Sequence, residues 1–237
     1  MRKVFLWVTS GTVSILVEGV SMHFQFLIED QSSAALIEIL MQRISARTSN
    51  VTFSCKAFKG LGGFTKKNTV KETKTGKLLN DLTTYLRGFN KSLQGFPSAI
   101  FVVLDNDERD TDKFRDELNQ IARQNNITVD HVFCIAVEEI EAWLLGDENA
   151  ILAAYPSEKL AKLHTYVQDS ICGTWEFLAE VVYPGGLFKL QRDCSSYMEI
   201  GRYKYEWAKN IGVHMDMEHN NSPSFMYFIS EINKRMV

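Results

Sequence analysis

The sequence is short of the residues that staple or clamp small proteins. Of 237 residues, four are cysteine and five histidine. Cys55, Cys134, Cys172 and Cys194 form no Cys-x-x-Cys pair, and His23, His131, His164, His214 and His219 are equally scattered. That spacing argues against a zinc site and a disulfide framework, and the thiols read as reduced, as in a cytoplasmic protein. An excess of charge of one sign is also lacking. Lys and Arg number 26 against 29 Asp and Glu, a net charge of −3, so the molecule is no polycation and any nucleic-acid contact must be a local patch. A Walker A loop is missing, because GLGGFTKKN lacks the G-x-x-x-x-G-K-[ST] spacing; any use of ATP would belong to another chain. Neither an internal repeat nor a low-complexity tract occurs.

Long apolar runs are lacking too. VFLWVTSGTVSILV after Arg2 and Lys3 spans fourteen residues, is broken by Thr, Ser and Gly, and leads into Glu18 with no Ala-x-Ala site. It is too short to cross a bilayer comfortably and a poor signal peptide. Residues 1–21 therefore read as an N-terminal extension, either an added strand or the product of an upstream start, with the domain beginning at Met22. No membrane association is expected.

What is present is an ordinary globular share of apolar residues, 45%, on a chain long enough for a sizeable core. FQFLI (24–28), VTFSCKAF (51–58), AIFVVLD (99–105) and VDHVFCIAV (129–137) read as strands. Helical spacing falls between them: Ala35, Leu36, Ile39, Leu40 and Ile44 after a cap at Ser32 or Ser33, then LLNDLTTYLRGF (78–89) and DKFRDELNQIARQ (112–124). EEIEAWLLG (138–146) reads as a helix closed by Gly146. Such alternation predicts an α/β fold, a Rossmann-like, mainly parallel sheet flanked by helices over 22–147. A helical C-terminal part packed on it follows over 148–237. Its last helix has a cap at Ser222 and Pro223 in its first turn.

Three predicted strands end in acids: Glu29 and Asp30, then Asp105 and Asp107, then Glu138, Glu139 and Glu141. Ligands of open parallel sheets bind outside the carboxyl ends of the strands. Carboxylates gathered there repel one another by about 4 kcal/mol for a pair 4 Å apart at an effective dielectric near 20. A hard divalent cation, Mg2+ or Mn2+, would offset that. Taken singly, Glu138 and Glu139 read as helix-terminal residues and Asp-x-Asp as a turn; the coincidence of three clusters points to a metal. A helix-loop-helix calcium loop does not fit, because Arg109 and Asp110 occupy positions where a ligand and a glycine are needed.

The strings FLIEDQSSAALIEILM, VVLDNDERD, IAVEEIEAWLLGDENAILAAYP and HMDMEHNNSPSF resemble the bacterial family called domain of unknown function 4276, over roughly residues 22–235. That family is related to the Toprim fold of topoisomerases, primases and overcoming-lysogenization-defect nucleases. The resemblance implies that Glu29 acts as general acid or base or as a metal ligand, that Asp105 and Asp107 bind magnesium, and that Glu139 and Glu141 complete the site. Asp30-Gln31 stands where the broad Toprim pattern has a glycine after its glutamate. Glu18, in VEG, mimics that motif more literally but precedes no suitable helix.

A polyanionic substrate needs cations. Lys59, Lys66, Lys67, Lys71, Lys74 and Lys77 crowd the Gly-rich loop 58–77 with only Glu72 against them, and that loop should lie at the same sheet edge. It reads equally as a phosphate clamp, with Lys59, Lys66, Lys67 and Lys77 as contacts, and as a solvated loop. Arg202 and Lys204 interleave with Tyr203 and Tyr205, as in single-strand binders and equally as on an amphipathic surface. His214, Asp216, His219 and Asn221 read as a structural cluster. The expected function is a metal-dependent nuclease acting on nucleic acid beside a partner ATPase in an anti-phage or mobile-element system, with homo-oligomerisation left open. A non-catalytic metal-binding or interaction subunit, and a small-molecule phosphotransferase or hydrolase, are the alternatives.

Overall fold

A computed structural model describes residues 4–9, 12–17, 21–62, 77–156 and 160–236. Lys66, Lys67, Lys71, Lys74 and Glu18 lie outside the described residues. β1 (Val4–Thr9) and β2 (Thr12–Val17) pair antiparallel as a two-stranded sheet of their own. The main sheet comprises β3 (Met22–Ile28), β4 (Val51–Ala57), β5 (Ser98–Asp105) and β6 (Asp130–Ala136), in the spatial order β4-β3-β5-β6 and parallel throughout. The α/β reading with helices on both faces therefore holds.

Every residue of β5 is buried, as a strand in the middle of a covered parallel sheet requires. Ala99, Phe101 and Val103 face one core, and Ile100, Val102 and Leu104 face the other. The second core is closed by α2 (Leu78–Ser92) and α3 (Thr111–Gln124), which bury Leu78, Leu82 and Leu86 and Phe114, Leu118 and Ala122 at helical spacing. The first core is closed by α1 (Gln31–Arg47) and by the C-terminal helices. These are α4 (Glu141–Leu145), α5 (Glu148–Ala154), α6 (Leu160–Leu163), α7 (Thr174–Val182), α8 (Gly186–Asp193), α9 (Tyr197–Gly212) and α10 (Pro223–Asn233).

Aromatic rings fasten α10 to the sheet. Phe228 lies 6.3 Å from Phe26, 6.1 Å from Phe101 and 5.1 Å from Trp143 between ring centroids, pairs that each add about 0.5–1.5 kcal/mol beyond area burial. Ser222 caps α10 by accepting from the Phe225 N–H at 3.2 Å, with Pro223 in the first turn, as its sequence predicts. The α1 cap differs from the expected Ser32 or Ser33. Asp30 accepts from the Ser33 N–H at 2.8 Å and the Ser32 hydroxyl at 2.9 Å, because a carboxylate at that position reaches both donors. Of the stripe expected on α1, Ala35, Leu36, Leu40 and Ile44 are buried and Ile39 only partly, while Ile37 and Met41 join the buried face. Among the described residues no helix is long and apolar enough to cross a membrane.

Candidate functional site

The carboxyl ends of β3, β5 and β6 open at one edge, and each delivers an acid to it. Glu29, just beyond β3, is pinned by the Asp105 N–H, 3.0 Å from its Oε2, and by a backbone hydrogen bond from Leu61. Its neighbours are therefore fixed by the sheet register and by the start of the lysine-rich loop. Burial pushes its carboxyl up to about 7, with Asp30 and Asp107 adding repulsion. Asp105, the last residue of β5, is 7% exposed. Burial, then Glu29, Asp30 and Glu141, hold its carboxyl well above the usual range.

The third group comes from EEIE after β6, and it divides. Glu138 adopts φ +62 and turns away from the cluster. Its carboxylate receives the Cys172, Gly173 and Thr174 N–H groups and the Thr174 hydroxyl, the last at 2.6 Å. Those donors overcome burial and keep its carboxyl below the usual range. The expected helix over 138–146 thus begins only at Glu141. Asn106, 1% exposed, secures the bend: its Oδ1 accepts the Glu138 N–H at 2.5 Å and its Nδ2 donates to the Arg109 carbonyl at 2.8 Å and the Thr111 hydroxyl at 2.7 Å. Asp107, also at positive φ, 50°, bridges to Glu138 through its N–H.

Glu139 and Glu141 turn inward onto Lys204 of α9. The ammonium lies 3.3 Å from Glu139 Oε2 and 3.3 Å from Glu141 Oε2. Burial raises both carboxyls, that of Glu141 to about 7, while Lys204 works against the rise. Burial alone would depress the Lys204 ammonium, yet Glu141, Glu139, Asp105 and Asp30 hold it above its ordinary range. Glu141 is 1% exposed, and neither of its carboxylate oxygens takes a hydrogen bond.

Of the residues expected at the site, Glu139 and Glu141 pair with Lys204, Asp105 lies within its electrostatic reach, and Glu29 stands beside Asp105. The Asp107 carboxylate is exposed and paired with Arg109 at 2.7 Å. Lys204 does not stand with Arg202 on an open basic surface. It is turned inward with Tyr203, which packs on Tyr183 and Trp207, whereas Arg202 is exposed beside Glu206 at 4.0 Å. Lys59 and Lys77 lie at the site edge, since the Gly60 N–H bonds the Glu29 carbonyl and the Lys77 ammonium bonds the Lys59 carbonyl. Gly60 at φ +96 and Gly62 at φ +73 make this approach, and a Cβ at Gly60 would lie 2.9 Å from the Lys77 ammonium. Asp216 and His219 pair with each other at 3.0 Å, Asn221 donates its N–H to the Gly146 carbonyl, and Asp147 accepts the Asp216 N–H at 2.6 Å.

In donor chemistry the inner acids suit a hard divalent ion, with oxygen ligands only and buried Glu141 oxygens that lack hydrogen-bond donors. Among the described residues no three His, Cys, Asp or Glu side chains stand grouped as a ready ligand set. The cation that faces these acids is Lys204. Comparison of the chain with family models, curated proteins and solved structures returned no match.

Proposed function

We propose that the chain is a Toprim-like, magnesium- or manganese-dependent nuclease. On this reading it serves as the effector beside a separate ATPase in a bacterial anti-phage or mobile-element system. The observation that carries the reading is the gathering of Glu29, Asp105 and Glu141 at the ligand-binding edge of a parallel sheet, with Glu29 fixed by the Asp105 N–H. The resemblance to domain of unknown function 4276 supplies the Toprim name, the partner and the setting.

Glu29, Asp105 and Glu141 would hold the metal. Bound there, the ion supplies polarisation of a phosphoryl oxygen and acidification of water. The resemblance also allows Glu29 the role of general acid or base in place of a ligand, in which it would take a proton from water or return one to the leaving oxygen. Lys204, permanently charged, stabilises negative charge at the inner face of the site. Lys59 and Lys77, at the mouth, would hold the flanking phosphates, with Lys66 and Lys67 of the same loop and exposed Arg202 as further contacts.

A second reading, a non-catalytic subunit, is favoured by one observation: Lys204 already balances Glu139 and Glu141. Labelled single- and double-stranded DNA and RNA, incubated with magnesium, manganese or chelator, decide between the two. Metal-dependent cutting by the wild type that Glu29→Gln and Asp105→Asn both abolish is expected. Equal cutting by wild type and both variants would refute the assignment. Absence of cutting with either metal would favour the non-catalytic reading.

A further inference from the structure

Strand β4 forms one edge of the main sheet and pairs with β3 alone. The Met22 N–H on the Asn50 carbonyl and the Phe58 N–H on the Ile28 carbonyl bracket its ladder, and in a parallel ladder every second residue turns its backbone groups to the same neighbour. Thr52, Ser54 and Lys56 therefore bond β3, whereas Val51, Phe53, Cys55 and Ala57 turn their N–H and C=O groups outward. Among the described residues no backbone hydrogen bond reaches these four, and β1 and β2, which pair with each other, leave the edge open. The usual guards of an open edge are missing. β4 has no proline, its register runs from Val51 to Ala57 without a bulge, and its one charge is drawn aside, the Lys56 ammonium lying 5.7 Å from the Tyr85 ring centroid and 6.0 Å from that of Phe58. Phe53, Cys55 and Ala57 pack against the α1 core and stay only partly buried.

We propose that β4 is the homodimer interface of this protein, pairing antiparallel with β4 of a second copy about a two-fold axis at Ser54 and joining the two sheets into one. The strand is self-complementary in that register. A two-fold contact sets the same surface against itself, so with the axis at Ser54 all of Val51–Ala57 finds a partner. Phe53 meets Cys55 and Val51 meets Ala57 of the second copy. These are the outward-turned residues, so each meeting exchanges two backbone bonds, about eight in all. On the α1 face these pairs are apolar throughout. On the α2 face Thr52 meets Lys56 and Ser54 meets its own copy, so no like charges stand opposite. Any extended segment satisfies the backbone groups; the match of apolar to apolar and of lysine to threonine along the whole strand is a property of β4 against itself, and it selects a second copy. Because the paired strands run in opposite directions, the two acidic edges lie at opposite ends of the joined sheet, and the dimer does not depend on what those edges bind.

Size-exclusion chromatography with light scattering over a rising concentration series tests this. The wild type should reach twice the 27.1 kDa chain mass, and amide hydrogen exchange over residues 51–57 should slow across the same series. Cys55→Pro removes an outward N–H that takes no part in the β3 ladder, a place where an edge strand tolerates proline. It should give a monomer at every concentration, with circular dichroism checking that it folds. Ser54→Cys sets two thiols face to face on the axis and should yield a covalent dimer under mild oxidation. Thr52→Cys, which meets Lys56 instead, should yield no more than the wild type. A wild type that stays monomeric, a folded Cys55→Pro that stays dimeric, or equal cross-linking by Ser54→Cys and Thr52→Cys would overturn the proposal. Amides of 51–57 that are protected in the monomer at every dilution would place another segment on the edge and overturn it too. If Cys55→Pro does not fold, the exchange and cross-linking results decide.

Discussion

Raising the pH from about 5 to about 8 should destabilise this protein in metal-free buffer. Glu29 and Glu141 each carry a carboxyl moved from 4.5 to about 7, chiefly by burial. Between those values the native state keeps a proton that the unfolded chain has released, so stability falls as the pH rises through the window. A single group shifted that far costs the native state about 3 kcal/mol once ionised, and solvent at half-buried Glu29 brings its share nearer about 2 kcal/mol. The two shares do not simply add, because both acids interact with Asp30. Urea midpoints at pH 5, 6, 7 and 8 measure the slope for wild type and for Glu29→Gln, a neutral side chain that still accepts the Asp105 N–H. The variant should match the wild type near pH 5 and exceed it by about 2 kcal/mol at pH 8. Glu138 and Glu231, with lowered carboxyls, lose their contributions only below their ordinary 4.5, outside this window. His23, held below 6.5 by burial, contributes the opposite slope equally in both proteins. A difference between variant and wild type that stays constant from pH 5 to 8 would refute the reasoning.

Three further substitutions probe the frame around the acids. Glu138→Ala removes a carboxylate that receives four donors and should cost about 3 kcal/mol in urea unfolding, with proteolysis newly admitted near residues 172–174. Asn106→Ala strands the Glu138 N–H and should cost about 2 kcal/mol; combined with Glu138→Ala in a double-mutant cycle the losses should fall short of additive, and full additivity would show the two act separately. Gly146→Ala places a Cβ on Asn220 Oδ1 and 2.8 Å from the Ser222 N, so thermal melting should show a loss of about 2–3 kcal/mol; an unchanged melting temperature would mean that the 220–222 turn yields.

The strand and helix order was legible because its signals are local. Near-continuous apolar runs mark β3, β5 and β6, and leucines at 78, 79, 82 and 86 mark the buried stripe of α2. The convergence of acids was legible from strand polarity. What local pattern did not disclose was the direction in which each acid turns. Glu138, Glu139 and Glu141 are adjacent in sequence, yet the first is drawn outward by N–H groups 34 to 36 residues away and the other two inward by Lys204, 65 residues from Glu139. Helix-terminal chemistry predicts a capping role for Glu138 and Glu139. The sequence does hold one signal for Lys204: it stands three and four residues before Trp207 and Ala208 and seven before Ile211, on the stripe of α9 that is buried. A lysine on an apolar stripe needs a carboxylate partner, and the surplus acids of EEIE are that partner.

The same pairing explains how the N-terminal and C-terminal parts of the fold depend on each other. The sheet edge alone would hold Asp105 and Glu141 beside Glu29 with no cation, at a Coulombic cost of about 4 kcal/mol for each pair of charges 4 Å apart at an effective dielectric near 20. Proton uptake relieves part of this, since burial first and neighbouring acids second raise the carboxyls of Glu29, Asp105 and Glu141. Lys204 relieves more, and it can reach the acids only because α9 packs its Trp207, Ala208 and Ile211 into the same core as α1. Apolar burial places the helix, and the helix places the charge. Removing Lys204 without supplying a metal would leave buried carboxylates unpaired, which is the costly way to break an ion pair. Supplying a metal would reverse that cost, so the stability of a Lys204 variant should depend on divalent ions more steeply than that of the wild type.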